Sequence, residues 1–271
     1  MTTIVLTHAP AAPSRAGWFT QTGQVLRRWL IATLRQVWGP VMSLIQPVIW
    51  IVLFGQVFHS LGALPQFGGD GYIDYLVPGI LMMTVLYSGA WAGTGYIDDI
   101  NSGVMDQYLT SPVSRSAIIT GQLVQQLIIN LAQSFVVLGI GWLAGARYPG
   151  GFGGMLVALG VATLLATIFC CASTAVALTA RSQIALISLS QLIVLPATFL
   201  STTMMPADLM PQWVQDVARW NPMTWAVELG RGGLAGTFPE NGWWQVAGLT
   251  VLAALAFVWA MRSIRAYQRS V

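Results

Sequence analysis

Apolar residues fall along this chain in long runs separated by short polar connections. Six runs, 40–58, 75–95, 117–143, 154–180, 184–203 and 243–261, each supply roughly 20 largely apolar positions, enough for a helix to cross a bilayer. Together they use most of the 271 residues, so the pattern predicts one all-α membrane domain over 40–264 and no separate soluble domain. Ahead of the first run, an interfacial helix is predicted over 18–39. Leu26, Trp29, Leu30, Thr33 and Val37 share one face and Arg28 and Arg35 the other. Such a helix lies in the headgroup plane, with arginine on anionic lipid and tryptophan at the interface. Residues 1–17 lack the apolar core of a cleavable signal and read as a disordered tail, with a second short tail over 265–271.

Two connections are too structured in pattern to be plain loops. In 98–115, Ile100, Val104 and Tyr108 recur at helical spacing, which predicts one short amphipathic helix across the membrane surface, stopped by Pro112. In 199–231, Pro206, Pro211 and Pro222 cut a stretch rich in Trp, Met and Leu into two short amphipathic helices. Irregular backbone at membrane depth persists only where protein or a watery cavity covers it. The segment is therefore expected to dip into the membrane as a re-entrant hairpin. Within it Glu228 and Arg231 stand at i, i+3, a spacing that permits an ion pair. Trp213, Trp220 and Trp225 supply candidates for an interfacial belt.

A polar stripe marks the third run. Gln122, Gln126, Asn130 and Gln133 stack on one helical face, with Gln125 beside them. Amides inside a bilayer are costly unless paired. Helix packing accounts for them adequately, and lining a substrate route is the sharper alternative.

Composition narrows the chemistry. A mean hydropathy of +0.67 with only 8% charged residues indicates an integral membrane protein. All twelve basic residues are arginine. Without lysine the chain can form neither a nucleotide-binding P-loop nor a Schiff base. Cys170 and Cys171 are adjacent in mid-run and read as small packing residues, and no metal-ligand spacing exists. A membrane-embedded enzyme is disfavoured, because the two histidines, His8 and His59, accompany no nucleophile or acid cluster. With the N-terminus inside, arginines 15, 27, 28, 35, 115, 181, 262, 265 and 269 fall in the cytoplasm and only 147, 219 and 231 outside. The positive-inside rule then places both termini in the cytoplasm and the hairpin at the exterior.

The spacing of the hairpin resembles the ABC-2 type permeases, and among them the daunorubicin/doxorubicin-resistance-like drug exporters. It has a Phe-x-Ser before the first proline (Phe199, Ser201, Pro206), a Pro-x-Trp (Pro211, Trp213) and an Asn-Pro-x-Thr followed by Arg (Asn221, Pro222, Thr224, Arg231). A His common after the Asn-Pro-x-Thr is Trp225 here. The earlier connection is similar to the family's coupling helix, with Gly103, Asp106, Leu109, Pro112 and Arg115 at its spacing, although Asn101 and Ser102 replace the usual charges before the glycine.

The resemblance covers about 25–231 and implies six transmembrane helices, an N-terminal interfacial helix, a cytoplasmic coupling helix and an extracellular re-entrant hairpin. It further implies a transport subunit of a bacterial plasma-membrane exporter, with no catalytic residue or cofactor of its own. A separate P-loop subunit, carrying the ATP and Mg, would dock at 98–115, including Asp98 and Asp99. Two copies, or this chain with a paralogue, would form the pathway. The implied cargo is a hydrophobic or amphiphilic drug, with lipids, glycolipids or polysaccharides as the alternative; nucleic acid is not expected. The rival is a secondary transporter, which would show repeated halves or helices broken at mid-membrane.

Overall fold

The computed structural model describes residues 17–36, 38–57, 71–111, 113–240 and 242–269, the side chains of Pro40 and Leu109 excepted. The tail over 1–16, His59, Pro112 and residues 270–271 lie outside them. Every regular element among the described residues is helical: α1 (Trp18–Arg35), α2 (Trp38–Val57), α3 (Tyr72–Trp91), α4 (Thr94–Asn101), α5 (Val104–Thr110), α6 (Arg115–Leu143), α7 (Gly151–Ala180), α8 (Gln183–Phe199), a 3₁₀ turn (Ala207–Leu209), α9 (Gln212–Ala218), α10 (Pro222–Ala235) and α11 (Gly242–Arg269).

The long helices alternate in direction between two ends of a bundle. The start of α3 meets residues 202–204, whereas the backbone at Gly93 beyond its end meets Ser173 near the end of α7. The start of α7 lies against α10. One end of the bundle thus carries α1, α4 and α5, and the other carries the irregular 200–221 stretch.

Among the described residues, four stretches are long and apolar enough to span a membrane: Tyr72–Asn101, Arg115–Leu143, Gly151–Ala180 and Gly242–Arg269. The first and fifth runs hold two further apolar helices, α2, whose apolar part is Val41–Val57, and Gln183–Phe199. In the fifth run the helix stops at Phe199, because Ser201 and Thr203 offer local hydrogen bonds that compete with it. Ser201 Oγ donates to Thr198 O at 2.6 Å and lies 2.6 Å from Thr203 Oγ1. Conversely, the sixth run continues as helix to Arg269. The expected tail from 265 is a docked extension of α11, with Ile264 and Tyr267 buried and the arginines turned outward.

The core is built around α3. Leu76, Val77, Ile80, Leu81, Met82, Val85 and Leu86 are all fully buried, so this helix is apolar around its whole circumference, as a central helix must be. Beside it α7 packs against α11, α10 and α3. The α7–α10 contact depends on glycine. A Cβ at Gly154 would sit 2.0 Å from Gly233 O, and one at Gly150 would sit 2.2 Å from the same atom. Small residues spaced four apart let two backbones touch where lipid supplies no hydrophobic drive.

Gly154→Val should therefore push α10 off α7 and destabilise the fold by about 3 kcal/mol. Gly160→Val, at a position with nothing within 4 Å, should change stability by no more than about 0.5 kcal/mol. Thermal unfolding of the two purified variants makes the comparison, and equal midpoints would refute the close contact.

Candidate functional site

At the first end, α4 and α5 replace the single predicted helix. Gly103 adopts φ +73°, which only glycine does without strain, and turns the chain between them. The exposed edge carries Asp98, Asn101, Ser102, Asp106, Gln107 and, at the start of α6, Arg115. Met105 is fully buried beneath. Asp99, expected on the docking edge with Asp98, is instead buried, because its carboxylate faces α1.

Its partner is Arg28. Nη1 donates to Asp99 Oδ2 at 2.9 Å and to Tyr108 Oη at 2.8 Å, and Nη2 reaches Asp99 Oδ1. The guanidinium also lies over the rings of Trp29 and Tyr108, 5.3 and 5.2 Å from their centroids. The hydrogen bonds to Asp99 push the Arg28 pKa above its ordinary value against the opposing cost of burial. This revises the face assignment of the interfacial helix. Arg28 does not oppose Trp29 but shares the inward face with Gln21, Val25, Trp29 and Thr33, whereas Arg35 is exposed as expected. Gln21 accepts from Ser114 N at 2.8 Å and Trp18 donates to Ser116 Oγ at 2.9 Å. α1 thereby grips α4, α5 and the start of α6 as one unit.

At the opposite end the hairpin is a 3₁₀ turn, α9 and a longer α10, rather than two short amphipathic helices. The prolines precede or open these elements: Pro206 the 3₁₀ turn, Pro211 α9, and Pro222 the first turn of α10. Asn221 caps α10 by accepting from Met223 N at 2.9 Å, while its Nδ2 donates to Ala197 O (2.7 Å) and Leu200 O (2.9 Å). That amide ties the start of α10 to the end of α8. Trp213 and Trp220 are exposed, but Trp225 is buried, donates Nε1 to Arg219 O at 2.7 Å and meets Trp244 edge-on.

Glu228 and Arg231 do not form the expected ion pair. Arg231 stacks 3.6 Å over the Tyr75 ring, and its Nη2 donates to Thr202 O at 3.0 Å and Tyr75 O at 3.2 Å. Glu228 turns the other way and accepts from Gln245 Nε2 at 2.7 Å. The i, i+3 spacing permits the pair, but two backbone carbonyls and an aromatic face compete successfully for the guanidinium. Glu228, Thr224 and Trp225 border a cavity of about 650 Å³ that opens beside α9.

The amides of α6 bind its neighbours. Gln122 Nε2 donates to Ala92 O (2.9 Å), Gln125 to Thr33 Oγ1 (2.8 Å), Gln126 to Ser88 Oγ (2.8 Å) and Gln133 to Ser43 Oγ (2.6 Å). They also line a second cavity of about 440 Å³, whose rim includes Arg28, Asp98 and Asp99. Among the residues that matter here, Tyr72, Tyr75 and Thr202 carry no sequence signal, and Tyr108 shows only its helical spacing. Only the chain's path brings residue 75 to 231.

Arg28→Gln should leave Asp99 buried without its cation and loosen α1 by about 1–3 kcal/mol. Trypsin should cut at Arg27 and Arg35 roughly tenfold faster, and adding Asp99→Asn should restore part of the protection. Arg231→Lys keeps the charge but loses the planar fork and the stacking, so it should lower thermal stability by about 2 kcal/mol. Unchanged cleavage or melting would refute the respective contact.

The model of the ABC-2 type transporter family matches residues 20–235. The daunorubicin resistance ABC transporter permease protein DrrB1 of Streptomyces coeruleorubidus is 27% identical over 253 residues, covering 88% of this chain and 86% of that protein. The putative transport permease ycf38 of Cyanophora paradoxa is 26% identical over 205 residues, 75% of this chain and 70% of that one. The probable doxorubicin resistance ABC transporter permease protein DrrC of Mycobacterium tuberculosis is 23% identical over 212 residues, 78% and 74% of the two chains. Because the family match runs unbroken from the first turn of α1 to the last residue of α10, taking in both the clamped α4–α5 edge and the hairpin, the chain belongs to the ABC-2 type transporter family.

Proposed function

We propose that this chain is the membrane-spanning subunit of an ATP-driven exporter, and that a separate P-loop ATPase docks on the α4–α5 edge. The observation that carries the docking reading is the division of labour there. Asp98, Asn101 and Asp106 are exposed, while Asp99 and Tyr108 are held from behind by Arg28. An exposed polar edge on a rigid backing transmits a push instead of absorbing it. ATP and Mg belong to the partner subunit, and two such permease chains form the pathway. The arginine distribution supports placing the α1 end and both termini in the cytoplasm. The hairpin then lies at the exit, where Asn221 and Arg231 hold it to α8 and α3.

The printed names of two relatives concern resistance to daunorubicin and doxorubicin, which supports a hydrophobic or amphiphilic, drug-like cargo. A lipid or glycolipid cargo is the second reading, favoured by the amide-lined cavity at the α1 end.

Affinity purification of the chain from its native membranes should bring down a P-loop ATPase. Asp106→Arg should leave the permease inserted but reduce stimulation of that ATPase about tenfold. Recovery of the chain alone, with transport persisting in its absence, would favour a secondary transporter. Full stimulation in the variant would move the docking surface elsewhere.

A further inference from the structure

Glu228 and Arg231 carry opposite charges one turn apart on α10, and each has taken a neutral partner instead of the other. Among the described residues Arg231 meets no carboxylate and Glu228 meets no cation. At i, i+3 their Cβ atoms stand about 5–6 Å apart, well within the reach of both side chains. A second arrangement, in which the two pair with each other, is therefore only a change of side-chain conformation away.

The present arrangement leaves hydrogen-bonding groups unused on both sides. Nη2 of Arg231 serves Thr202 O and Tyr75 O, while its buried Nε has no hydrogen-bond partner. Glu228 accepts from one amide, Gln245 Nε2, whose own Oε1 is buried and unpartnered. An ion held away from bulk water without a counter-charge is costly. A guanidinium–carboxylate pair made through Nε and Nη2 would supply the counter-charge and a partner for Nε at once. Space for the change is present. Glu228 and Thr202 line the same cavity of about 650 Å³. Nor would the carbonyl be orphaned, since Tyr75 Oη donates to Thr202 O at 2.9 Å without help from Arg231. What would leave is the cation that ties residue 202 to the Tyr75 ring.

We propose that Arg231 is a two-position switch. On Tyr75 and Thr202 it holds the hairpin to α3, and on Glu228 it lets the hairpin lift. Gln245 keeps the carboxylate aside in the first position. Tyr75 belongs to α3, so a shift of that helix withdraws ring and carbonyl together and tips Arg231 toward Glu228. The link to export rests on the transport reading above, whereas the exchange of partners is a property of this chain alone.

The test uses the full chain in phosphatidylcholine nanodiscs, without any ATPase, and Thr203→Cys as reporter. Thr203 is 0% exposed and follows the carbonyl that Arg231 holds. A water-soluble maleimide should reach the introduced thiol only when the hairpin lifts. Cys170 and Cys171 are buried, and the chain without the reporter measures their background. Glu228→Gln still accepts from Gln245 but offers no counter-charge, so it should slow labelling about tenfold by depopulating the lifted state. Gln245→Leu frees the carboxylate and should speed labelling about tenfold; adding Glu228→Gln should cancel that gain. Arg231→Gln should label fast whether or not Glu228 is kept. If Gln245→Leu fails to insert, Gln245→Ala carries the same expectation. Equal rates across the Glu228 and Gln245 variants would overturn the switch. Faster labelling in Glu228→Gln would also overturn it, because the carboxylate would then only brace α10 against α11. Failure to recover an ATPase would instead count against the exporter reading and leave the labelling result standing.

Discussion

A membrane-embedded chain cannot leave backbone carbonyls unpaired, and the stretch from 197 to 204 tests that constraint most severely. It is not helical beyond Phe199, yet it packs inside the bundle. Side chains from three other places close its carbonyls. Asn221 takes Ala197 and Leu200, Tyr75 and Arg231 share Thr202, and Tyr72 reaches Met204. A cation in this setting makes sense as a strong donor, since hydrogen bonds from a charged group contribute about 1.5–3 kcal/mol against about 1 for neutral ones. The same carbonyls also explain why Arg231 ignores Glu228. The irregular segment exists because these donors exist, and the hairpin follows from it.

The two ends handle charge differently, and α3 joins them. At the hairpin Arg231 meets only neutral oxygens, through Nη2, and a ring, and its buried Nε is left without a hydrogen-bond partner. At the other end Arg28 meets a carboxylate, a phenol and two rings where part of the side chain still reaches solvent. Tyr75 sits at the start of α3, and Asp99 sits on α4, which follows it almost without interruption. The 24 residues between them correspond to about 36 Å of helix. Because α3 is buried on every side, a displacement of α4 is poorly absorbed by bending, and close-packed interiors pass strain onward. The fold thus offers a direct path from the α4–α5 edge to the Tyr75–Arg231 stack.

Much of the architecture was legible in the sequence because hydropathy and spacing are local. The apolar runs correspond to helices, the prolines mark element starts in the hairpin, and the amides at 122, 126, 130 and 133 do share a face turned to neighbouring helices. What escaped depends on partners far along the chain. Arg28 was assigned to the lipid face because an isolated amphipathic helix puts arginine there. Asp99, 71 positions away, reverses the assignment. Glu228 and Arg231 looked paired because only their mutual spacing was visible, and residue 75 leaves no periodic trace at 231. Gly103 falls within the predicted helix because glycine interrupts a pattern without announcing its φ. The extension of α11 past 261 was hidden by arginines that lower hydropathy while Ile264 and Tyr267 still pack inward.

The clamp on α1 also bears on how the protein is made. α1 emerges from the ribosome ahead of its anchors, since Asp99 and Tyr108 lie 71 and 80 residues after Arg28. Until α4 and α5 have been translated, Arg28 has no carboxylate or phenol to grip. The docking of α1 is therefore a late event in biogenesis, and a nascent polypeptide that stalls before residue 108 carries an unclamped amphipathic helix.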